Sequence, residues 1–323
     1  MRLTALAGLA LAVTLAALLV GGTMLPPEAI LRALVRPRGD VATIVWQLRL
    51  PRLCIGLVVG ASLAIAGALL QGMLRNPLVD PYLTGVSAGA AVAIVIAMSA
   101  GIAIGAVPAL GFGAGIATAL LVAALARRGT GLDATRLILA GVSLSSLFAA
   151  VIALVLTRLQ STEAAPAIVG WLAGSLAGRG WSDLGFSVPY AAAGTAIALF
   201  SVPALNALRL GDVRAQAAGV NVDRAQWLIL AAASLLTACA VTLSGTIGFV
   251  GLIVPHVARR VVGSDARLLI LASALLGGAL TVAADAVART VIAPAEIPIG
   301  VLLAFIGVPA FLYLYLHGRT MAV

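Results

Sequence analysis

Long apolar runs separated by short polar segments dominate this sequence. We place about ten runs of span length, near residues 3–22, 53–72, 82–100, 102–126, 137–157, 186–206, 227–244, 247–262, 268–286 and 299–317. A helix needs roughly 20 residues to cross the hydrocarbon core of a bilayer, and backbone in lipid must satisfy its own hydrogen bonds. The pattern predicts an all-α integral membrane protein with one transmembrane domain over residues 1–323.

Three segments depart from this simple pattern. The first run directly follows Arg2, as in a signal peptide, but it lacks a clean small-x-small cleavage site, so we expect a retained helix. The eighth run is short and contains Pro255, which predicts a broken or tilted span. Residues 166–184, with Trp171 and Trp181, are typical of a short helix at the membrane interface.

The chain contains arginine but no lysine. Twenty arginines and eleven acidic residues make up 10% of 323 residues, against roughly 25% charged residues in soluble proteins. A phosphate-binding P-loop requires a lysine, so any such ATP site that drives this protein belongs to another chain. The net charge of +9 is spread over the ends of apolar runs, which favours a membrane surface and predicts no nucleic-acid partner.

An even number of spans places both termini on one side of the membrane. If that side is the cytoplasm, twelve arginines lie inside and eight outside, a bias with the sign of the positive-inside rule. Five of the outer eight fall between residues 32 and 52. Attraction to an acidic partner would explain such a cluster on the unfavoured side.

Acidic residues are almost excluded from the predicted spans. Only Asp285 lies near a helix interior, and Arg289 follows four residues later on the same helical face. Ion-coupled carriers usually need intramembrane carboxylates, which disfavours a secondary transporter. His256 has no second ligand at metal spacing, and no pairing of a nucleophile with a base appears, which disfavours an intramembrane enzyme.

Three polar stretches carry candidate chemistry. Arg49 and Arg52 are three residues apart, so in a helix both could face one partner, although snorkelling at the interface is an alternative. Residues 71–81 predict a rigid turn. Residues 209–224 predict two short helices, the first capped by Asp212 and ended by Gly219. Asn221 or Asp223 would cap the second helix. The two helices would form either a surface for docking a cytosolic partner or a solvated loop.

These stretches resemble the FecCD-type permeases, the membrane subunits of type II ABC importers for iron-siderophores, haem and cobalamin. The matching pieces, in family order, are RLPR at 49–52, GASLAIAGALLQGMLRNPLVDPYLTGVSAGA at 60–90, RLILAG at 136–141, GTIGFVGLIVPHVAR at 245–259, ADAVAR at 284–289 and EIPIG at 296–300. The resemblance extends over nearly the whole chain.

The resemblance implies the type II ABC importer permease fold, with about ten transmembrane helices per subunit. It implies a homodimer, or a dimer with a near relative, and a substrate path between the two copies. Two ATPase subunits, which use ATP and Mg, would dock below, and a periplasmic or lipid-anchored substrate-binding protein would dock above. The permease itself would be no enzyme and would bind no cofactor or metal.

The resemblance also assigns residues. Arg49, Arg52 and Arg289 would pair with glutamates of the binding protein, with Asp285 orienting Arg289. The coupling loop would be about residues 208–224 and would include Gly211, Asp212, Arg214, Gln216, Gly219, Asn221 and Asp223. Ala134 and Thr135 would form the cytoplasmic gate, although this loop is longer by about two residues and carries Asp133. Ser143 and Ser146 would line part of the path unless their hydroxyls bond back to their own helix.

The expected function is import of an iron chelate, a siderophore complex or haem, across the prokaryotic inner membrane by alternating access. Cobalamin import by the same mechanism is the alternative cargo. An ion-coupled secondary transporter is the alternative of a different class. Stretch 171–181 looks more like the siderophore and haem permeases than the cobalamin type.

Overall fold

A computed structural model describes residues 1–21, 25–128, 131–158, 164–293 and 295–317. In the first half of the chain the helices are α1 (Arg2–Leu19), α2 (Pro27–Val35), α3 (Asp40–Thr43), a π-helix (Ile44–Arg49), α4 (Leu50–Leu74), a 3-10 helix (Pro81–Thr84), α5 (Val86–Ser99), a 3-10 helix (Ile104–Ala106) and α6 (Val107–Ala126). A two-stranded antiparallel hairpin follows, β1 (Arg127–Arg128) and β2 (Gly131–Leu132).

The second half is also helical. Its elements are α7 (Ala134–Arg158), α8 (Ala164–Leu172), α9 (Trp181–Phe200), α10 (Val202–Arg209), α11 (Asp212–Ala217), α12 (Val222–Ser244), α13 (Val250–Val262), α14 (Ala266–Ala288) and α15 (Ile299–His317). The all-α prediction is confirmed, because the only strands in the described residues are the two short ones of the hairpin.

Seven helical segments are long and apolar enough to cross a membrane. They are Arg2–Leu19, Asp40–Leu74, Val107–Ala126, Ala134–Arg158, Trp181–Phe200, Val222–Ser244 and Ala266–Ala288. Val86–Ser99 and Ile299–Tyr313 are shorter apolar helices, and α13 has 13 residues. The predicted total of about ten spans remains a prediction, whereas the multi-pass architecture is confirmed.

The helices define two opposite ends of the bundle, which we call the Arg52 end and the Asp212 end. At the Arg52 end, Arg49 donates to the carbonyl of Leu18, at the carboxyl end of α1. At the Asp212 end, Arg2 donates to the carbonyl of Val261, at the end of α13. The first helix therefore runs from the Asp212 end to the Arg52 end. The chain beyond residue 317, including the carboxyl terminus, lies outside the described residues.

The centre of the bundle is α4, packed against α12, α13 and α14. Glycine allows the closest contacts: a Cβ at Gly60 would lie 2.1 Å from the carbonyl oxygen of Gly277, and a Cβ at Gly67 would lie 1.9 Å from that of Gly251. Such backbone-to-backbone approach is the usual way for helices to associate in lipid. In contrast, Leu137 and Gly141 are the only buried residues of α7.

Two predicted helix boundaries are wrong, one where the chain turns at glycines and one near a proline. The interfacial helix predicted over 166–184 ends at Leu172, because the chain turns at Gly174 and Gly178, both with positive φ. The sixth predicted span, 186–206, begins earlier, at Trp181, and is interrupted at Ser201. Pro203 then lies in the first turn of α10, where its missing N–H breaks no hydrogen bond.

Two further boundaries differ from expectation around the second and eighth runs. Pro255 does not break α13, which continues through it. The interruption predicted between 244 and 247 is present but extends to Phe249, because Gly245 and Phe249 have φ of 70° and 68°, so α13 begins at Val250. The second span is longer than 53–72, because the helical segment extends back through the π-helix to Asp40.

Candidate functional site

Two buried or half-buried charge networks mark the two ends of the bundle. The first, at the Arg52 end, we call the arginine cluster: it consists of Arg49, Arg52, Asp285, Arg289 and Glu296. The helix starts and ends bring these residues together, because Arg49 and Arg52 lie at the beginning of α4, Asp285 and Arg289 at the end of α14, and Glu296 in the connection from α14 to α15.

Arg52 is bound by two carboxylates on two edges of its guanidinium. Its Nε lies 3.1 Å from both carboxylate oxygens of Asp285, and its Nη2 lies 2.8 Å from Oδ1. Its Nη1 lies 3.1 Å from Oε1 of Glu296, and its Nη2 lies 2.8 Å from Oε2. Both pairs are fork-to-fork contacts, the strong geometry for arginine and carboxylate.

Arg289 and Arg49 are directed inward. Arg289 Nε forms an ion pair with Asp285 at 3.0 Å, as the i,i+4 spacing predicted, and its Nη2 donates to the carbonyl of Ala17 at 3.4 Å. Arg49 donates to the carbonyls of Leu18 at 2.8 Å and Leu19 at 3.2 Å. The two arginines are 6% and 5% exposed. They satisfy carbonyls that have no donor at the end of α1.

The sequence-based expectation that Arg49 and Arg52 face one partner differs from this geometry. Within the chain Arg49 contacts α1, whereas Arg52 contacts α14 and the segment before α15. A π-helix ends at Arg49 and the α-helix begins at Leu50, so simple α-helical spacing does not describe the pair. A docking role for Arg49, Arg52 and Arg289 stays a prediction.

The second network, at the Asp212 end, joins Asp212 of the predicted coupling loop to Arg75 at the end of α4. Gly211, with φ of 106°, precedes α11, and Gly219, with φ of 82°, follows it. Gly219 therefore ends the short helix as predicted. Asp212 does not cap α11: it is the first helical residue and forms an ion pair with Arg75 at 3.1 Å.

Asn221, and not Asp223, caps the next helix, with its side-chain oxygen accepting from the N–H of Arg224 at 3.0 Å. That helix is the long α12 and not a second short one. In α11, Ala215 is buried whereas Arg214 and Gln216 are exposed, and Val213 is 80% exposed. The segment thus presents a small polar and apolar surface at the Asp212 end.

The loop before α14 lies beside this segment. Asp265 caps α14, and the hydrogen bonds it accepts, first from the N–H of Leu268 and then from the Asn206 amide, lower the pKa of its carboxyl group. Arg209 donates to the carbonyl of Ser264, and its partial burial lowers the pKa of its guanidinium despite the nearby Asp265. These contacts join the end of α10 to the start of α14.

The predicted gate lies at the start of α7, directly after the hairpin. Thr135 is exposed and Ala134 is half-buried. Asp133 caps α7 by accepting from the N–H of Arg136 at 2.9 Å. On the other side, Gln226 of α12 accepts from the N–H of Leu132 at 2.8 Å.

Gln226 is a residue that sequence reasoning missed. It is 4% exposed, and its partner lies 94 positions away in sequence. A second contact, with Arg127 stacked 5.9 Å from the centre of the Trp227 ring, joins the same elements. A cavity of about 460 Å³ lies between the hairpin and the coupling segment, lined by Asp133 on one side and Asp212 on the other.

Ser143 and Ser146 are both exposed on α7. The Ser146 hydroxyl donates to the carbonyl of Val142 at 3.0 Å, the back-bonding that the sequence left open. Their position on the least buried helix leaves both serines available to a path, but lining a path stays a prediction.

Comparison with known proteins identifies the family. Residues 9–317 match the FecCD transport family. The chain is 46% identical over 273 residues to the cobalamin import system permease protein BtuC of Halobacterium salinarum, covering 84% of this chain and 73% of that protein. It is 37% identical to the hemin transport system permease protein HmuU of Yersinia pestis, covering 85% and 84% of the two chains.

A third relative and a solved structure agree. The Fe(3+) dicitrate transport system permease protein FecD of Escherichia coli is 38% identical, with 85% of this chain and 86% of that protein covered. A metal-chelate type ABC transporter solved in an inward-facing conformation is 34% identical, with a TM-score of 0.87 and coverage of 97% and 98%. The chain therefore belongs to the FecCD transport family, whose members are membrane-embedded permease subunits of ABC transporters and not catalytic subunits.

Proposed function

We propose that this permease moves an iron chelate, either an iron-siderophore or haem, across the inner membrane by alternating access. The observation that carries the proposal is the match over residues 9–317 to a family whose named relatives import ferric citrate, haem and siderophores. The chain has no lysine for a P-loop, so ATP and Mg are used by a separate ATPase subunit. The chain itself binds no cofactor.

The Asp212 end is the cytoplasmic, ATPase-facing end in this proposal. The exposed Val213, Arg214 and Gln216 of α11 support it, because a short helix bounded by two glycines offers a defined surface for a partner. The amino terminus lies at the same end, as the contact of Arg2 with Val261 requires. The carboxyl terminus would lie there too.

A second permease copy would cover α7. This helix has 25 residues, of which Leu137 and Gly141 alone are buried, and Leu139, Leu147 and Leu154 are exposed. An apolar helix with so little burial faces either lipid or another subunit. A homodimer with α7 at its centre would place Ser143 and Ser146 on the substrate path and Thr135 at its cytoplasmic gate.

The binding protein would dock at the Arg52 end. Three arginines and two carboxylates leave the arginine cluster with one net positive charge, which suits an acidic partner. Arg52 is the member best placed to meet it, because its side chain is 15% exposed while Arg49 and Arg289 are buried.

Cobalamin is the second candidate cargo. It is favoured by the 46% identity to a cobalamin import permease, which exceeds the 37% identity to a haem permease. Both cargoes are large metal chelates, so the same wide and weakly polar path would serve either one.

Reconstitution in liposomes tests the proposal. The permease, its ATPase and its binding protein should accumulate a ferric siderophore or haem only when ATP and all three proteins are present. ATP-dependent uptake of cobalamin, without uptake of a ferric siderophore or haem, would assign cobalamin as the cargo in place of an iron chelate. Accumulation by the permease without the ATPase would contradict the proposed mechanism.

A further inference from the structure

Arg52 has its carboxylate-binding edges already filled. Asp285 holds the edge formed by Nε and Nη2, and Glu296 holds the edge formed by Nη1 and Nη2. A guanidinium binds carboxylates strongly only through such two-point edges. An acidic side chain from outside therefore needs one of the two resident carboxylates to leave.

The two carboxylates are not equally able to leave. The side chain of Asp285 is 4% exposed and also pairs with Arg289, so its departure would leave two arginines without their shared counter-charge. The side chain of Glu296 is 38% exposed, and Arg52 is the partner it contacts. Removing an acid from a buried pair costs far more than exchanging one at a solvated rim.

The chain around Glu296 is suited to such an exchange. Glu296 lies in the connection between α14 and α15, where the N–H of Ile297 bonds to the carbonyl of Ala288. Val291 and Ile292 in this connection are exposed. The segment is therefore exposed before Glu296 and anchored after it by Ile299, which is 1% exposed, so the Arg52–Glu296 pair lies at the edge of the packed region.

We propose that Glu296 is an internal competitor for the docking site, and that docking exchanges it on Arg52 for a carboxylate of the binding protein. This inference rests on the proposed docking of that protein at Arg52. Because Glu296 precedes α15 by three residues, the exchange also frees the segment before α15 from Arg52 at the start of α4. Docking would then change the contacts of the segment that leads directly into α15.

The test compares binding of the purified cognate substrate-binding protein to the reconstituted permease by surface plasmon resonance. Glu296→Gln keeps an acceptor for Arg52 but removes the competing charge, so the binding protein should associate at least about threefold more tightly at low salt, with the gain shrinking as salt rises. The matched control is Glu28→Gln, which removes an exposed carboxylate from the α2 surface, where it pairs with Arg32. The control should leave affinity close to that of the wild type.

A second variant keeps the proposal testable if Glu296→Gln does not fold. Glu296→Asp retains the charge but shortens the side chain, so its two-point contact loosens and a smaller gain in affinity is expected. Unchanged or weaker binding by the folded Glu296 variants would overturn the exchange, as would an equal gain in Glu28→Gln.

Arg52→Gln separates this inference from the proposed function. Loss of binding in Arg52→Gln together with tighter binding in Glu296→Gln supports both. Loss in Arg52→Gln without a gain in Glu296→Gln overturns the exchange alone. Wild-type binding by Arg52→Gln would overturn docking at Arg52 and the exchange with it.

Discussion

Gln226 of α12 accepts a hydrogen bond from the backbone N–H of Leu132 at 2.8 Å, joining the helix after α11 to the hairpin before the predicted gate. Asn221, which caps α12, lies five residues before Gln226. A displacement of α11 would therefore reach the hairpin through about one and a half turns of α12. If Ala134 and Thr135 form the gate, this hydrogen bond connects the gate to the proposed ATPase surface.

Loss of this contact should uncouple transport from ATP hydrolysis. In Gln226→Leu we expect the number of chelates moved per ATP to fall about fivefold, corresponding to ~1 kcal/mol of coupling. Gln226→Glu retains the acceptor and should recover most of the ratio. The measurement is uptake and phosphate release in the same proteoliposomes.

Gln47 supplies the control for that prediction. It is exposed at the Arg52 end, and Gln47→Leu makes the same chemical change far from the hairpin. A fall in ATPase activity and transport by equal factors in Gln226→Leu would indicate a structural role and contradict the coupling role.

The Asp285 carboxylate should be essential for stability of the Arg52 end. Asp285→Asn leaves Arg289 without its ion pair and Arg52 with Glu296 as its acidic partner, so unfolding should become easier by roughly 3 kcal/mol. Thermal unfolding in detergent measures this loss. Glu28→Gln, which breaks a pair whose side chains are 77% and 84% exposed, should change stability little. Equal midpoints for the two variants would contradict the prediction.

The glycine contact between α4 and α13 should tolerate no side chain. Gly67→Ala places a methyl group against the carbonyl of Gly251, and relief of that overlap should cost roughly 3 kcal/mol of stability. Gly8→Ala is the matched control, because no atom lies within 4 Å of a Cβ at that position of α1. Thermal unfolding of both variants checks the difference, and similar midpoints would show that the helices can separate without cost.

Asp212 should matter for transport more than for folding. Its ion pair with Arg75 is about 40% exposed on both sides, so Asp212→Asn should destabilise the permease by at most about 1 kcal/mol. If α11 contacts the ATPase, ATP-driven uptake should nevertheless fall several-fold, because Asp212 fixes the start of α11. Arg32→Gln breaks an exposed pair at the opposite end and should leave uptake intact. Normal uptake by Asp212→Asn would contradict the coupling role.

Apolar length predicted most of the helices because lipid leaves the backbone no other partner. The i,i+4 pair of Asp285 and Arg289 was also readable from local spacing. The contacts that define the sites were not readable in this way: Arg52 and Glu296 are 244 positions apart, and Gln226 and Leu132 are 94 apart. Such partners depend on how the helices pack against one another, and the spacing of residues along one helix gives no information about that packing.

The ends of the helices were predicted only in part. Pro255 predicted a broken or tilted span, but α13 continues through it. The interruption after residue 244 was predicted, but its extension to Phe249 was not, because phenylalanine gives no local sign of adopting a left-handed conformation.

The glycine contacts of α4 also constrain how the protein can move. Where one main chain touches another there is no side-chain rotamer to readjust, so α4, α13 and α14 have to travel as a single rigid block. Any change of shape during a transport cycle then falls to helices outside this block, above all α7, of which only Leu137 and Gly141 are buried. The positions of glycine thus separate helices that have to move together from a helix that is free to move against them.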